Sequence, residues 1–177
     1  LSPEKGPHNA IAIAKQTGIP LKMAGKVDPV DMEYFERDIK PHIDGELIQY
    51  LGEADHHQKN QLMGRAIATL FPITWKEPFG LVMIESMAAG TPVIAMRLGS
   101  TPEVISPGKT GYLCDTVEEC VEAVKAVGTI DRQICRDHVA AHFSVANMTD
   151  GYEAVYHQLV EKRALKNGHS RILKLVS

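Results

Sequence analysis

The stretch WKEPFGLVMIESMAAGTPVIAM, residues 75–96, decides how this chain folds. It reads as a loop at 75–78, a helix over 79–89, a terminating Gly90 and an apolar strand, PVIAM, at 92–96. Just before it, IATLFPI at 67–73 is a second apolar strand. Both strands are continuous apolar runs rather than alternating ones, which is how strands covered on both faces of a parallel sheet read. The same stretch poses a chemical question. Glu77 and Glu85 stand eight positions apart, and the helical neighbours of Glu85 are Leu81, Val82, Ala88 and Ala89, all apolar.

Outward from this unit the rhythm continues in both directions. Upstream, a helix is expected over 6–18, with Pro7 in its first turn and Gly18 as its stop. A strand at 20–25 follows, then a helix over 29–42 carrying Met32, Phe35 and Ile39 on one face, a strand at 46–51 and a helix over 55–66. Downstream come a short helix at 102–105, a strand at 111–114, and helices over 117–127, 131–142 and 145–164. Strand and helix alternate at about 20 to 25 residues per pair, which predicts a doubly wound, Rossmann-like α/β domain with a mostly parallel sheet. Five strands are visible, and a sixth is expected upstream of Leu1, since the chain enters a helix almost at once. Residues 1–164 form the expected domain; 165–177 form a basic tail.

Composition narrows the function classes. The chain has 177 residues, 44% hydrophobic and 23% charged, with a net charge of −3. That is enough to build a core and offers no basic surface for nucleic acid. Cys114, Cys120 and Cys135 have no C-x-x-C spacing, so neither a disulfide framework nor a zinc site is indicated, and a cytoplasmic setting is expected. No run approaches the roughly 18 apolar residues of a membrane span; a peripheral contact at the inner face of a membrane stays open.

In open α/β sheets, ligands bind at the carboxyl ends of the strands, where loops lead into helix N-termini. The loop at 75–80 is such a place. Backbone N–H groups of Phe79, Gly80 and Leu81 are expected to face an anion or sugar hydroxyls, and Gly80 to let a ligand approach. An ionised Glu85 buried without partners would cost several kcal/mol. It therefore needs either a vicinal diol, whose two hydroxyls can both donate to one carboxylate, or a distant Lys or Arg. Glu77, just ahead of a helix, reads either as a ligand-binding acid or as a partner of the helix dipole.

These residues resemble a family. E-P-F-G-L-V-M-I-E-S-M-A-A-G-T-P-V-I looks like the E-x7-E signature of the retaining glycosyltransferases of GT-B fold, sequence family 4. SPEKG (2–6), YLGEAD (50–55), LFPITWKEPFGL (70–81), GSTPEVI (99–105) and GKTGYL (108–113) are similar to segments of that family's nucleotide-binding domain, in the same order. The resemblance implies that the chain is the C-terminal, donor-binding half of a two-domain enzyme whose acceptor-binding N-terminal domain is absent here. It implies a nucleotide sugar, such as a UDP- or GDP-sugar, as partner, with Glu85 on the ribose hydroxyls and Glu77 on the sugar. Lys5 would hold the diphosphate beside an Arg expected upstream of Leu1, and Leu51 and Ala54 would flank the base. Gly99 and Ser100, by their place just after a strand end, are expected near the phosphates. No cofactor or metal is expected, the chain having no D-x-D pair. Alternatives within the same fold are a sugar-nucleotide epimerase or phosphorylase, and a non-catalytic nucleotide-binding domain.

Other signals read as structure. GKT at 108–110 lacks the glycine that a phosphate loop needs at position 103, which is Glu103, so a turn is expected. His138 and His142 share a helix face but lack the accompanying Glu of H-E-x-x-H. His56 and His57 are expected on the surface. Ser100 or Thr101 is expected to cap the helix that Pro102 opens.

Overall fold

The computed structural model describes residues 1–166; the basic tail expected at 165–177 lies, from residue 167 on, outside the described residues. Five short strands appear where the sequence places them: β1 (Leu21–Met23), β2 (Ile48–Tyr50), β3 (Thr69–Phe71), β4 (Val93–Met96) and β5 (Gly111–Cys114). Every pairing is parallel. The strands form two ladders among the described residues, β1–β2 and β3–β4–β5. Register runs Leu21 to Ile48 and Met23 to Tyr50 in the first, and Thr69 to Val93 to Gly111 through the second.

The helices are α1 (Pro7–Thr17), the short α2 (Met32–Tyr34), α3 (His56–Arg65), α4 (Leu81–Ala88), α5 (Thr101–Val104), α6 (Val117–Ala126), α7 (Arg132–His142) and α8 (Val145–Lys166). The chain divides into two units, Leu1–Val139 and Ala140–Ser177. In the first, α1 packs on β1 and on α6, and α6 packs on β4 and β5, so α1 ties the two ladders together. Ile11 and Ala14 of α1 join Met23, Phe35, Ile39 and Ile48 in one buried cluster. Around the other ladder Ile73, Met83, Met87, Val93, Ile94 and Cys120 are fully buried. Arg132 adds a long-range tie, donating to the carbonyls of Gly64 and Ala66 at 2.7 and 2.9 Å and to Thr91 Oγ1 at 2.6 Å. In the second unit, α8 exposes Val145, Met148, Tyr152, Val155, Tyr156, Leu159 and Val160. No helix among the described residues is long and apolar enough to cross a membrane.

The helix expected over 29–42 is irregular. It opens in a 3-10 turn at Pro29–Asp31, passes through α2, widens to a π-helical turn at Phe35–Ile39 and closes in a 3-10 turn at Lys40–His42. Pro41 explains the change: it supplies no N–H, and its ring presses on the carbonyl four residues back. The ladder shifts instead, with the Lys40 N–H reaching the Phe35 carbonyl five residues away. The shift keeps Phe35 and Ile39 in the core.

Candidate functional site

Each ladder is parallel, so the C-terminal ends of β3 and β4 share one edge, from which the loops at 72–80 and 97–100 leave, while the loop at 51–55 leaves the end of β2. Two carboxylate–lysine pairs stand out, one in the 72–80 loop and one between α3 and α4. Glu77 Oε2 accepts from Lys5 Nζ at 2.6 Å, and Glu85 Oε1 accepts from Lys59 Nζ at 2.6 Å. The Glu77 side chain is 13% exposed and its lysine 44%; Glu85 and Lys59 are 32% and 34% exposed.

Local sequence explains how each group arrives. Lys5 ends a 3-10 turn, Pro3–Lys5, that is fastened to the end of β3: Thr74 N–H donates to the Glu4 carbonyl at 2.9 Å and Asn9 Nδ2 to the Pro72 carbonyl at 3.2 Å. Gly6 makes that approach feasible. It has φ +69°, and a Cβ there would stand 1.9 Å from the Pro72 oxygen. Lys59 sits one turn ahead of Met63, the buried residue of α3, so α3 presents both toward α4. A capping box starts α3, with Asp55 Oδ1 accepting from Gln58 N–H at 2.8 Å and Gln58 Oε1 from Asp55 N–H at 3.0 Å.

The surroundings of Glu85 differ from the sequence reading. Met83, Ser86 and Met87 form the buried face of α4, whereas Leu81 is 63% exposed and Ala88 is exposed, so the apolar neighbours of Glu85 line the solvent edge rather than the core. Glu85 is neither sealed in nor unpaired. Of the two partners open to it from the sequence, a basic side chain is present, and the sequence reading had not singled out Lys59. Its signal was the four-residue spacing to Met63.

α4 begins at Leu81 with Gly80 as N-cap at φ +77°, so Phe79 and Gly80 precede the helix that was expected to include them. No side chain caps that end. Gly80 is required by packing as much as by access: a Cβ would meet Met83 Cε at 2.7 Å. Gly99 and Ser100 are buttresses of the Glu77 loop. A Cβ on Gly99 would stand 2.3 Å from the Glu77 oxygen, Ser100 N–H donates to the Glu77 carbonyl at 2.9 Å, and Ser100 Oγ donates to the Phe79 carbonyl at 2.8 Å. The expected hydroxyl cap on α5 is not made: Thr101 Oγ1 instead donates to the Met96 carbonyl at 2.7 Å. Leu51 is exposed and Ala54 half-buried on the loop after β2. A recess of about 480 Å³ beside that loop, lined by residues including Lys26, Phe35, Tyr50 and Glu53, does not include Glu77 or Glu85.

Elsewhere, His56 and His57 are exposed and pair with Asn60 and Gln61 along α3. His138 Nε2 lies 3.0 Å from the Val104 carbonyl. The three cysteines are free and buried. Hydrogen bonding with the Cys120 thiol pulls the Cys114 thiol below its ordinary value and pushes Cys120 well above it.

Comparison with known proteins places this geometry. N-acetyl-alpha-D-glucosaminyl L-malate synthase of Bacillus anthracis is 33% identical over 135 residues, which is 72% of this chain and 34% of that protein. Sucrose-phosphate synthase of Thermosynechococcus elongatus superposes with a TM-score of 0.75 at 26% identity, over 91% of this chain and 44% of that one. The Anabaena protein Alr3699/HepE, solved in complex with UDP-glucose, superposes with a TM-score of 0.72 at 23% identity, over 88% and 46%. Those neighbours have the GT-B fold, and the α/β architecture seen here is theirs. The chain thus spans about a third of the length of the curated relative it matches and under half of these solved chains. The family described as glycosyl transferases group 1 matches residues 1–133, three quarters of the sequence, and the chain belongs to that family.

Proposed function

We propose that this chain is the donor-binding half of a retaining glycosyltransferase, which binds a nucleotide sugar and, with an acceptor-binding N-terminal domain, transfers the glycosyl group to an acceptor hydroxyl. The observation that supports this most is the pair of acids eight residues apart, each partly open to solvent and each matched by a lysine from a different element.

In this reading Glu85 accepts from both ribose hydroxyls. Lys59 occupies Oε1 and orients the carboxylate, leaving Oε2 toward the nucleotide. Glu77 meets hydroxyls of the transferred sugar, Leu51 and Ala54 flank the base, and Lys5 with the backbone of Phe79, Gly80 and Leu81 faces the diphosphate. Gly99 and Ser100 hold the Glu77 loop in place. Transfer breaks the bond between the anomeric carbon and the diphosphate oxygen, which keeps the electron pair. The acceptor oxygen bonds to the same face of the sugar and gives its proton to the departing phosphate. Negative charge grows on the leaving group, where Lys5 and the amino end of α4 stabilise it. No divalent ion has a part in this scheme. A reducing, cytoplasmic setting suits the three free thiols.

UDP is the first nucleotide to try, since a structural neighbour was solved with UDP-glucose. Thermal shift and calorimetry with UDP, GDP, ADP and their sugars, on wild type and Glu85→Ala, test the reading. One nucleotide series should raise the melting temperature. Glu85→Ala should weaken it by about 1.5–3 kcal/mol, roughly ten- to a hundredfold, the worth of hydrogen bonds to a charged group. A silent panel, or binding that Glu85→Ala leaves unchanged, overturns the reading. Glycosyl transfer by the 177-residue chain alone would overturn the two-domain part of it.

A further inference from the structure

Lys5 is held by two unlike groups at once. Its ammonium donates to Glu77 Oε2 at 2.6 Å and stands 4.6 Å from the centroid of the Trp75 ring. Both partners come from one loop, and the backbone beside Lys5 is pinned to that loop's start by the Thr74–Glu4 hydrogen bond and by the Gly6–Pro72 approach. The lysine is therefore fixed at its root and at its tip. Trp75 is the chain's single tryptophan and is 39% exposed at the surface of the site.

The two contacts respond differently to an incoming anion. The Glu77 contact is a charge-assisted hydrogen bond, and a diphosphate with several oxygens competes for the same N–H donors. The indole attracts the ammonium through its quadrupole and consumes no donor, so the cation can turn its three N–H groups to phosphate while staying over the ring. Glu77 then loses its lysine and is available for hydroxyls. An aliphatic residue at position 75 would fill the same space but leave the ammonium held by Glu77 alone.

We propose that Trp75 is a positioning residue for Lys5: its ring keeps the ammonium on the phosphate side of the site while Glu77 exchanges that ammonium for the sugar hydroxyls, so that capture of a diphosphate and release of Glu77 are one event. This rests on the donor-site reading above and adds to it the residue that sets the lysine. The group recognised is the diphosphate itself, so inorganic pyrophosphate triggers the exchange as UDP does.

Trp75 emission in the 177-residue chain reports the event directly. Emission is followed during titration with UDP and with inorganic pyrophosphate, beside calorimetry on wild type, Lys5→Met, Trp75→Phe and Trp75→Leu. Both ligands should change the emission of wild type. Ligand-free Lys5→Met should already differ from wild type and should not respond further. Trp75→Leu should bind UDP about three- to tenfold more weakly, while Trp75→Phe, which keeps an aromatic face, stays within about twofold. A role in packing alone would weaken the two variants equally, and that result overturns the proposal. UDP binding by calorimetry with unchanged emission, or with Trp75→Leu equal to wild type, overturns it while leaving the donor site intact. Absence of binding by every nucleoside diphosphate removes the donor site and this proposal together.

Discussion

A single methyl group can test how the Lys5 turn is held. Gly6→Ala would force a Cβ to 1.9 Å from the Pro72 oxygen at a positive φ, so the turn must lift away from the end of β3. We expect a loss of about 2–4 kcal/mol in urea unfolding, with weakened nucleotide binding as Lys5 moves from Glu77. Gly18→Ala is the control: it has the same φ of +69° but open space around it, and should cost only about 1 kcal/mol. At this scale the sequence was legible for residue types and silent on partners. The spacing of Glu77 and Glu85 singled out both acids, yet Lys59 and Trp75 stand 26 residues before Glu85 and 70 residues after Lys5. Nothing local predicts a meeting between side chains brought together by separate parallel crossovers. Gly99 and Ser100 were assigned by position at a strand end. They do follow the end of β4, and their contacts go to the Glu77 loop because Gly99 admits the backbone so closely.

Elements were easier to read than pairs. Strands β1 to β5 and helices α1, α3 and α6 fall within a few residues of their expected bounds, because continuous apolar runs, the Asp55 cap and the terminating glycines are local signals. The run at 29–42 escaped, since its Met32, Phe35 and Ile39 spacing fits an α-helix and only Pro41 hints at the wider turn. The turn after it supplies a pH test. Asp44 Oδ1 accepts from the Glu46 N–H at 2.8 Å and the Ile48 N–H at 2.9 Å, closing the approach to β2. Those backbone bonds, Ile48's foremost, hold the Asp44 carboxyl below the ordinary aspartate range. A depressed folded-state value means that this stabilisation is full above the ordinary range and is lost as pH falls through the folded-state value. Asp44→Asn should therefore lower the denaturation midpoint at pH 7, and the gap to wild type should close toward pH 3. A gap independent of pH would show that ionisation of Asp44 plays no part.

At the scale of the whole molecule, the doubly wound parallel plan was legible and the division of its strands was not. The sequence reading assumed one continuous sheet, whereas β1–β2 and β3–β4–β5 are separate ladders among the described residues, joined through α1. A ladder passes on cooperativity through its hydrogen bonds, so each group can open by itself. Amide exchange should show β1 and β2 exchanging as one class and β3, β4 and β5 as another, slower one, since the three-stranded group carries Val93, Ile94 and Ala95, the fully buried residues of its central strand β4. A single protection level across all five strands would mean that α1 couples them into one unit. On the donor-site reading proposed above, the base contacts at Leu51 and Ala54 follow the smaller ladder and the sugar contact at Glu77 follows the larger, so no strand-to-strand rung fixes the span between them; it is carried by side-chain packing, of α1 on β1 and α6 and of α3 on α4, and by the Lys59–Glu85 pair.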